Sequence, residues 1–273
     1  MGENVKKVLF VNSEMYPFLP ESGIARICRD LPQGIQERKR EIRSFMPRYG
    51  CINERKNQLH EVIRLSGMNI IISDVDRPLV IKVASISSAR LQVYFLDNED
   101  YFKRKQVDRA PDGTFFADND ERAIFFARGI LETVKKLRWA PDIIHCHGWI
   151  SHLVPLYLKK AFREDPIFSN SKVVLSLYGD IAPSEAFDKD FAAKITAGGI
   201  KPEDIPFLAG PDGINLAKTA LSYSDAVIFG DASVDGSLKE FCLSKGMPVL
   251  PYDEKSFSDG SYVDEYNRFY DTL

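Results

Sequence analysis

No stretch of the sequence approaches the roughly 20 unbroken apolar residues of a helical membrane span, which argues against a membrane-embedded protein. Cysteine is sparse: Cys28, Cys51, Cys146 and Cys242 stand far apart, with no CxxC pair. That spacing excludes a zinc knuckle or a disulfide framework and fits reduced thiols in a cytoplasmic protein. An excess of one charge is also lacking, since 36 basic residues face 39 acidic ones for a net charge of −3. No bulk positive field is therefore available to hold nucleic acid or an anionic membrane. The first residues, Met1-Gly2-Glu3-Asn4-Val5-Lys6-Lys7, lead into an apolar run too short, and carry an acid too early, for a signal peptide. Ser-His-Asp, HExxH and Walker-type spacings are missing, as is any glycine-serine or proline-rich linker.

What is present is globular. Hydrophobic residues make up 44% and aromatics 11% of 273 residues, enough chain for one large domain or two small ones. Lys7–Asn12 is an apolar run of the kind buried on both faces of a parallel sheet. A polar loop, Ser13–Gly23, follows it, and Ile24–Gln36 then carries Ile24, Ile27, Leu31 and Ile35 at helical spacing. Further strands are expected at Glu41–Met46, Glu61–Leu65, Met68–Ile72, Leu79–Ser85, Leu91–Leu96, Pro141–Cys146, Val173–Leu177 and Ala226–Phe229. Turns are expected near Ser66-Gly67 and Asp76-Arg77-Pro78. Helices are expected over Asn119–Leu137, with Asp118 and Glu121 as a capping box, and over Ile150–Lys160, Gly213–Leu221 and Ser233–Leu243. This alternation predicts an α/β fold: one Rossmann-like, doubly wound, mostly parallel sheet over residues 1–250. A β-hairpin-like insert occupies about residues 50–90. Residues 251–273 form either a loop with a final short helix over Val263–Asp271 or a docked tail.

Ligands of such sheets bind beyond the carboxyl ends of the strands. Two loops qualify, Ser13–Gly23 and His145–Trp149. His147 sits where strand becomes helix, and its imidazole can donate to a sugar hydroxyl or a leaving phosphate. The indole of Trp149 can stack on a sugar face. His145 reads as a core histidine. The first loop has the single Gly23 rather than repeated phosphate-cradling glycines. His145, Cys146, His147 and His152 lack the spacing and the second cluster of a metal site, so no metal is expected. Lys103-Arg104-Lys105 reads as a solvated loop, and Tyr101-Phe102 as either packing or a sugar platform.

At these loops the sequence resembles the N-terminal domain of bacterial glycogen synthases and plant starch synthases. The matching segments are Val8–Pro17, Pro47-Arg48-Tyr49-Gly50, Tyr94–Phe102, Asp118-Asn119-Asp120-Glu121-Arg122, Pro141–Trp149 and Tyr223–Val227. The resemblance implies the N-terminal half of a GT-B fold and a retaining glycosyltransferase that moves glucose from an ADP-glucose-type donor to an α-1,4-glucan. No cofactor is implied. Carried over residue by residue, it places His147 near the transferred sugar, Glu14 and Gly23 in the first loop, Tyr101 as an acceptor-side platform if it faces the cleft, and Trp149 as an orienting residue. The departures are equally specific. Where the family has a lysine, a glycine and an aspartate in the first loop, this chain has Pro20, Ser22 and Arg26. The aspartate of His-Asp-Trp is Gly148, and a later family histidine is Tyr178.

The family builds its site between two domains, so 273 residues are expected to be one half, incomplete or inactive alone. Three readings follow. The chain works with a separately encoded C-terminal half; or it is a non-catalytic carbohydrate-binding or regulatory protein; or its bare cleft face is buried in a homo-oligomer. The small-molecule partner in the first two is an α-glucan or a sugar nucleotide.

Overall fold

A computed structural model describes residues 6–273; the first five residues of the N-terminal segment discussed above lie outside it. β1 (Lys7–Asn12) leads through the first loop into α1 (Gly23–Glu37) and β2 (Glu41–Pro47). β3 (His60–Glu61), β4 (Met68–Ile72) and β5 (Val75–Ile86) form the insert, and β6 (Leu91–Asp97) returns to the main sheet. α2 (Glu99–Phe102), α3 (Asn119–Leu137), β7 (Ile143–His147), α4 (Val154–Lys160) and β8 (Lys172–Leu177) follow. The chain continues through α5 (Phe191–Ala197), α6 (Gly213–Ser222), β9 (Ala226–Phe229), α7 (Gly236–Ser244) and β10 (Val249–Leu250). It closes with α8 (Glu254–Asp259) and α9 (Tyr262–Asp271).

The strands make one sheet in the order β10-β9-β8-β7-β1-β2-β6-β5-β3, with β4 paired to β5 off this path. From β10 to β6 every pairing is parallel. Strands β5, β3 and β4 add an antiparallel edge. This is the doubly wound α/β architecture expected from the alternation of strands and helices. Val8 to Val11 are fully buried because helices cover both faces of β1. The chain winds from β1 to β2 and β6 on one side and from β7 to β10 on the other. The order therefore reverses between β1 and β7, and the crevice beyond their carboxyl ends is the place such a sheet offers a ligand. Among the described residues no helix is long and apolar enough to cross a membrane.

Several local expectations are corrected. The strand expected over Glu61–Leu65 stops at Glu61, because Leu65 and Ser66 turn back to the Val62 carbonyl. The insert hairpin turns at Ser73 and Asp74, both at positive φ, and Asp76–Pro78 lies inside β5. Two consecutive positive-φ residues are what a tight β4–β5 connection needs. The helix expected over Ile150–Lys160 is a 3₁₀ turn at Trp149–Ser151 and then α4, because Pro155 has no N–H to continue a helix through it. Asp118 does not cap α3; its carboxylate is taken by Arg104 at 2.6 Å, so no capping box forms.

Residues 251–273 fold back onto α1. Val263 seats on Gly34, where an added Cβ would lie 2.6 Å from a Val263 methyl carbon. Arg38 pairs with Asp264 at 2.6 Å, Arg40 bonds Asn267 at 2.6 Å, and Tyr266 and Tyr270 are buried. Both rings pack against His145 on β7.

Candidate functional site

The loops after β1 and β7 are tied to each other. Ser13 N–H donates to the His147 carbonyl at 2.9 Å, and Tyr49 O–H donates to the Ser13 carbonyl at 3.0 Å. Gly148 at φ +80° and ψ 158° lets the chain leave β7 pressed against Ser13. That backbone region is open to glycine and to almost nothing else. A third wall comes from residues 103–118, which fold over the crevice as a flap. Its anchor is Arg122 on α3, a fully buried guanidinium that donates to the Val107 carbonyl and to Asn119 Oδ1, each at 2.6 Å. Asn119 in turn donates to the Asp108 carbonyl at 2.9 Å. Tyr49, Phe102 and Phe116 present their rings to the Arg122 guanidinium, and burial lowers its pKa.

These walls enclose a cavity of about 230 Å³ lined by Ser13, Glu14, Asp108, Arg109, Trp149 and Asp180, among others. Its electrostatics are set by three carboxylates and one guanidinium, and that guanidinium is already paired with Asp108 at 3.1 Å. The Glu14 pKa is raised, mainly by burial and further by Asp180 and Asp108, against a lowering hydrogen bond from Ser22. Ser22 also accepts from Ala25 N–H at 2.9 Å and so caps α1. The helix end that could face an anion is thus met by a serine and a carboxylate. A cavity so lined suits uncharged hydroxyl donors and an apolar sugar face, and it repels a diphosphate.

The residues singled out in the sequence are not all brought together. Glu14 and Trp149 line the cavity, with Trp149 half-buried and edge-on to Phe187. Gly23 is the exposed first residue of α1, with open space where a Cβ would stand. His147 does not line the cavity; it is fully buried, its Nδ1 2.7 Å from the Tyr178 hydroxyl and its Nε2 without a partner among the described residues. Burial holds its pKa down to about 3, so the imidazole is neutral. His145 is a core histidine, bonded at both ring nitrogens. Tyr101 must be corrected: it faces the interior, 1% exposed, and its hydroxyl donates to Glu121 at 2.7 Å. Aromatic packing on Phe125 holds it there, so it offers no platform to the cleft. Lys103 and Lys105 are exposed, whereas Arg104 between them is half-buried, pairing with Asp118 and lying 4.0 Å over the Phe116 ring. Among the described residues no group of three His, Cys, Asp or Glu side chains is placed to hold a metal ion.

Sequence reasoning missed Asp108, Arg109, Asp180 and the anchoring role of Arg122. Asp108 and Arg109 reach the cavity only because the flap folds back. No periodicity in residues 103–118 announces that. Arg122 stood inside a matching segment, and its burial is visible only once Tyr49, Phe102 and Phe116 surround it.

The family described as starch synthase catalytic domain matches residues 7–236. A glycogen synthase of Chlorobium limicola is 37% identical over 227 residues, which are 80% of this chain and 44% of that protein. One from Chlorobium luteolum is 40% identical over 194 residues, 69% of this chain and 40% of that protein. The chain therefore spans less than half the length of these relatives. Among solved structures, the catalytic domain of starch synthase IV from Arabidopsis thaliana, bound to ADP and acarbose, superposes with a TM-score of 0.71. At 17% identity it covers 93% of this chain and 52% of that one, and it shares the fold.

Proposed function

The chain belongs to the starch synthase catalytic domain family, and on that premise we propose that its cleft is the acceptor-side half of a glucosyl-transfer site. The small molecule it takes is a glucosyl unit of an α-1,4-glucan, and transfer from an ADP-glucose-type donor requires more than these 273 residues. The observation that carries this is the charge of the cavity: Glu14, Asp108 and Asp180 against a single Arg109 that Asp108 already pairs. Retaining transfer from a nucleotide sugar needs positive charge or aimed donors where the diphosphate departs, usually the largest electrostatic contribution in such a site. Here the first loop supplies Pro20, which has no amine, and Ser22, whose hydroxyl already caps α1. Trp149 and the carboxylates supply what a neutral pyranose uses: an aromatic face and hydrogen-bond acceptors.

The second reading, a non-catalytic carbohydrate-binding or regulatory protein, is favoured by the same cavity. The two separate on one set of measurements. Calorimetry of the purified chain with maltoheptaose and with ADP-glucose, beside a glucosyl-transfer assay onto glycogen, is expected to show glucan binding and negligible turnover. Recovery of turnover on adding a partner that carries donor-binding residues supports the half-site; persistent inactivity with glucan binding supports the regulatory reading. Clear turnover by the chain alone, or no glucan binding at all, would falsify the proposal.

A further inference from the structure

Asp120, in the first turn of α3, is a carboxylate with no exposed surface. One of its oxygens accepts the Glu121 N–H at 2.7 Å, and the other lies 2.8 Å from Lys194 Nζ on α5. Lys194 also stands 3.4 Å from Glu121 and 3.8 Å from Asp188. Glu121 has Arg77 and Tyr101 as further partners. Asp120 has no other cation among the described residues. Taking Lys194 away would leave a buried carboxylate without a counter-charge, which costs far more than breaking an exposed pair. The ion pair therefore clamps α5 to α3.

From α5 the clamp reaches the cleft through aromatic rings. Phe191, the first residue of α5, is fully buried and stacks on Phe187, with 5.4 Å between ring centroids and 15° between planes. Phe187 in turn meets the Trp149 indole edge-on at 5.6 Å. Trp149 lines the cavity, and Asp180 lines it from the stretch of chain that leads to Phe187. Near its start that stretch is fixed by Gly213 N–H, which donates to the Ala182 carbonyl at 2.8 Å. Its far end depends on α5. Close-packed rings pass a displacement on rather than absorbing it. The same turn of α3 also carries Asn119 and Arg122, which anchor the flap on the other side of the cavity.

We propose that Lys194 and Asp120 are positioning residues for the cleft: their ion pair pins α5, and through Phe191 and Phe187 it holds the Trp149 indole at the cavity wall. An aromatic face held in place before the ligand arrives need not be ordered on binding, so the clamp raises affinity without touching the ligand. The clamp itself is independent of what the cleft binds; its effect on affinity rests on the glucan-binding reading above.

Tryptophan occurs only at 139 and 149, and Trp139 is buried elsewhere, donating to Glu41 at 2.6 Å. ¹⁹F spectra of the full chain grown with 5-fluorotryptophan therefore give one resonance for each, assigned by Trp149→Phe. Lys194→Met is expected to move the Trp149 resonance toward its unfolded position and leave that of Trp139 in place. It should also weaken maltoheptaose about two- to tenfold, the cost of ordering one side chain on binding. Lys194→Arg keeps the charge and should restore both readouts. Because Lys194→Met strands the Asp120 charge, the double variant Lys194→Met/Asp120→Asn removes that charge too. It is expected to regain stability but neither the Trp149 resonance nor the affinity. A Trp149 resonance that stays in place in the double variant, or moves only together with that of Trp139, overturns the proposal. A displaced Trp149 with unaltered maltoheptaose affinity overturns its link to the ligand. If Trp149 moves as expected but the unsubstituted chain binds no maltoheptaose, the clamp stands and it is the glucan-binding reading that falls.

Discussion

Ser13 occupies the space that a side chain on residue 148 would need. A Cβ built on Gly148 would fall inside the van der Waals envelope of the Ser13 hydroxyl and 2.6 Å from its Cβ, and the glycine holds φ at +80°. Two constraints therefore meet at one residue, a backbone conformation closed to other side chains and a contact across the floor of the cleft. Gly148→Ala is expected to cost about 3 kcal/mol, of which the backbone alone accounts for about 1–3 kcal/mol. Ser13→Gly in the same chain should restore the packing part only. A double-mutant cycle in denaturant, showing no coupling beyond about 0.5 kcal/mol, would remove the contact from the explanation.

The buried histidines make stability depend on pH. Burial holds His147 down to about 3 and His152 to about 4, from an ordinary value of 6.5, and lowers His145 as well. The unfolded chain takes up these protons below about pH 6.5 while the folded chain does not. Stability is therefore complete above that pH and falls as pH drops toward 4. Three such groups set an upper bound of about 4 kcal/mol per pH unit. Glu14 and Asp120, whose pKa values are raised, bind protons more readily when folded and offset part of the loss below about pH 5. Urea midpoints measured from pH 7 to 5 should move steadily downward; constant midpoints would mean that the histidines open to solvent.

Tyr101→Phe separates packing from ligand contact. The variant removes a buried bond to Glu121, a carboxylate that keeps Arg77 and Lys194 as partners. The expected cost is about 1.5 kcal/mol in stability, the low end for a hydrogen bond to a charged group. Maltoheptaose affinity should not change. A weakened affinity with unaltered stability would return Tyr101 to the cleft.

Arg122→Met keeps much of the side chain's length among Tyr49, Phe102 and Phe116 but leaves the Val107 carbonyl and Asn119 Oδ1 without their donor. Each orphaned buried acceptor costs about 1–3 kcal/mol. The loss should be local first. Amide exchange and limited proteolysis are expected to accelerate across residues 103–118 before the sheet opens. Uniform acceleration over the whole chain would deny the flap its separate anchor.

The positions of most strands and helices were legible because apolar periodicity is a local signal. Lys7–Asn12 and Met68–Ile72 form as expected, and the helix expected over Asn119–Leu137 begins and ends where its pattern does. Expectations failed where a distant residue intervened. Asp118 has the composition of a cap, yet Arg104 reaches its carboxylate first. Tyr101 sits in a loop segment shared with the family, yet Glu121 and Phe125 draw it inward.

By itself the sequence determined the class of fold, the family, and the two loops beyond β1 and β7 where a ligand would meet the sheet. These rest on patterns within a few residues of one another. Only the tertiary structure decided what the cleft is made of. It brings Asp108 and Asp180 beside Glu14 through a folded-back flap and a third strand end, and it joins Tyr270 of the last helix to His145 on β7. Charge at a site is a sum over neighbours in space, and those neighbours lie up to 166 residues apart in Glu14 and Asp180 (180 − 14).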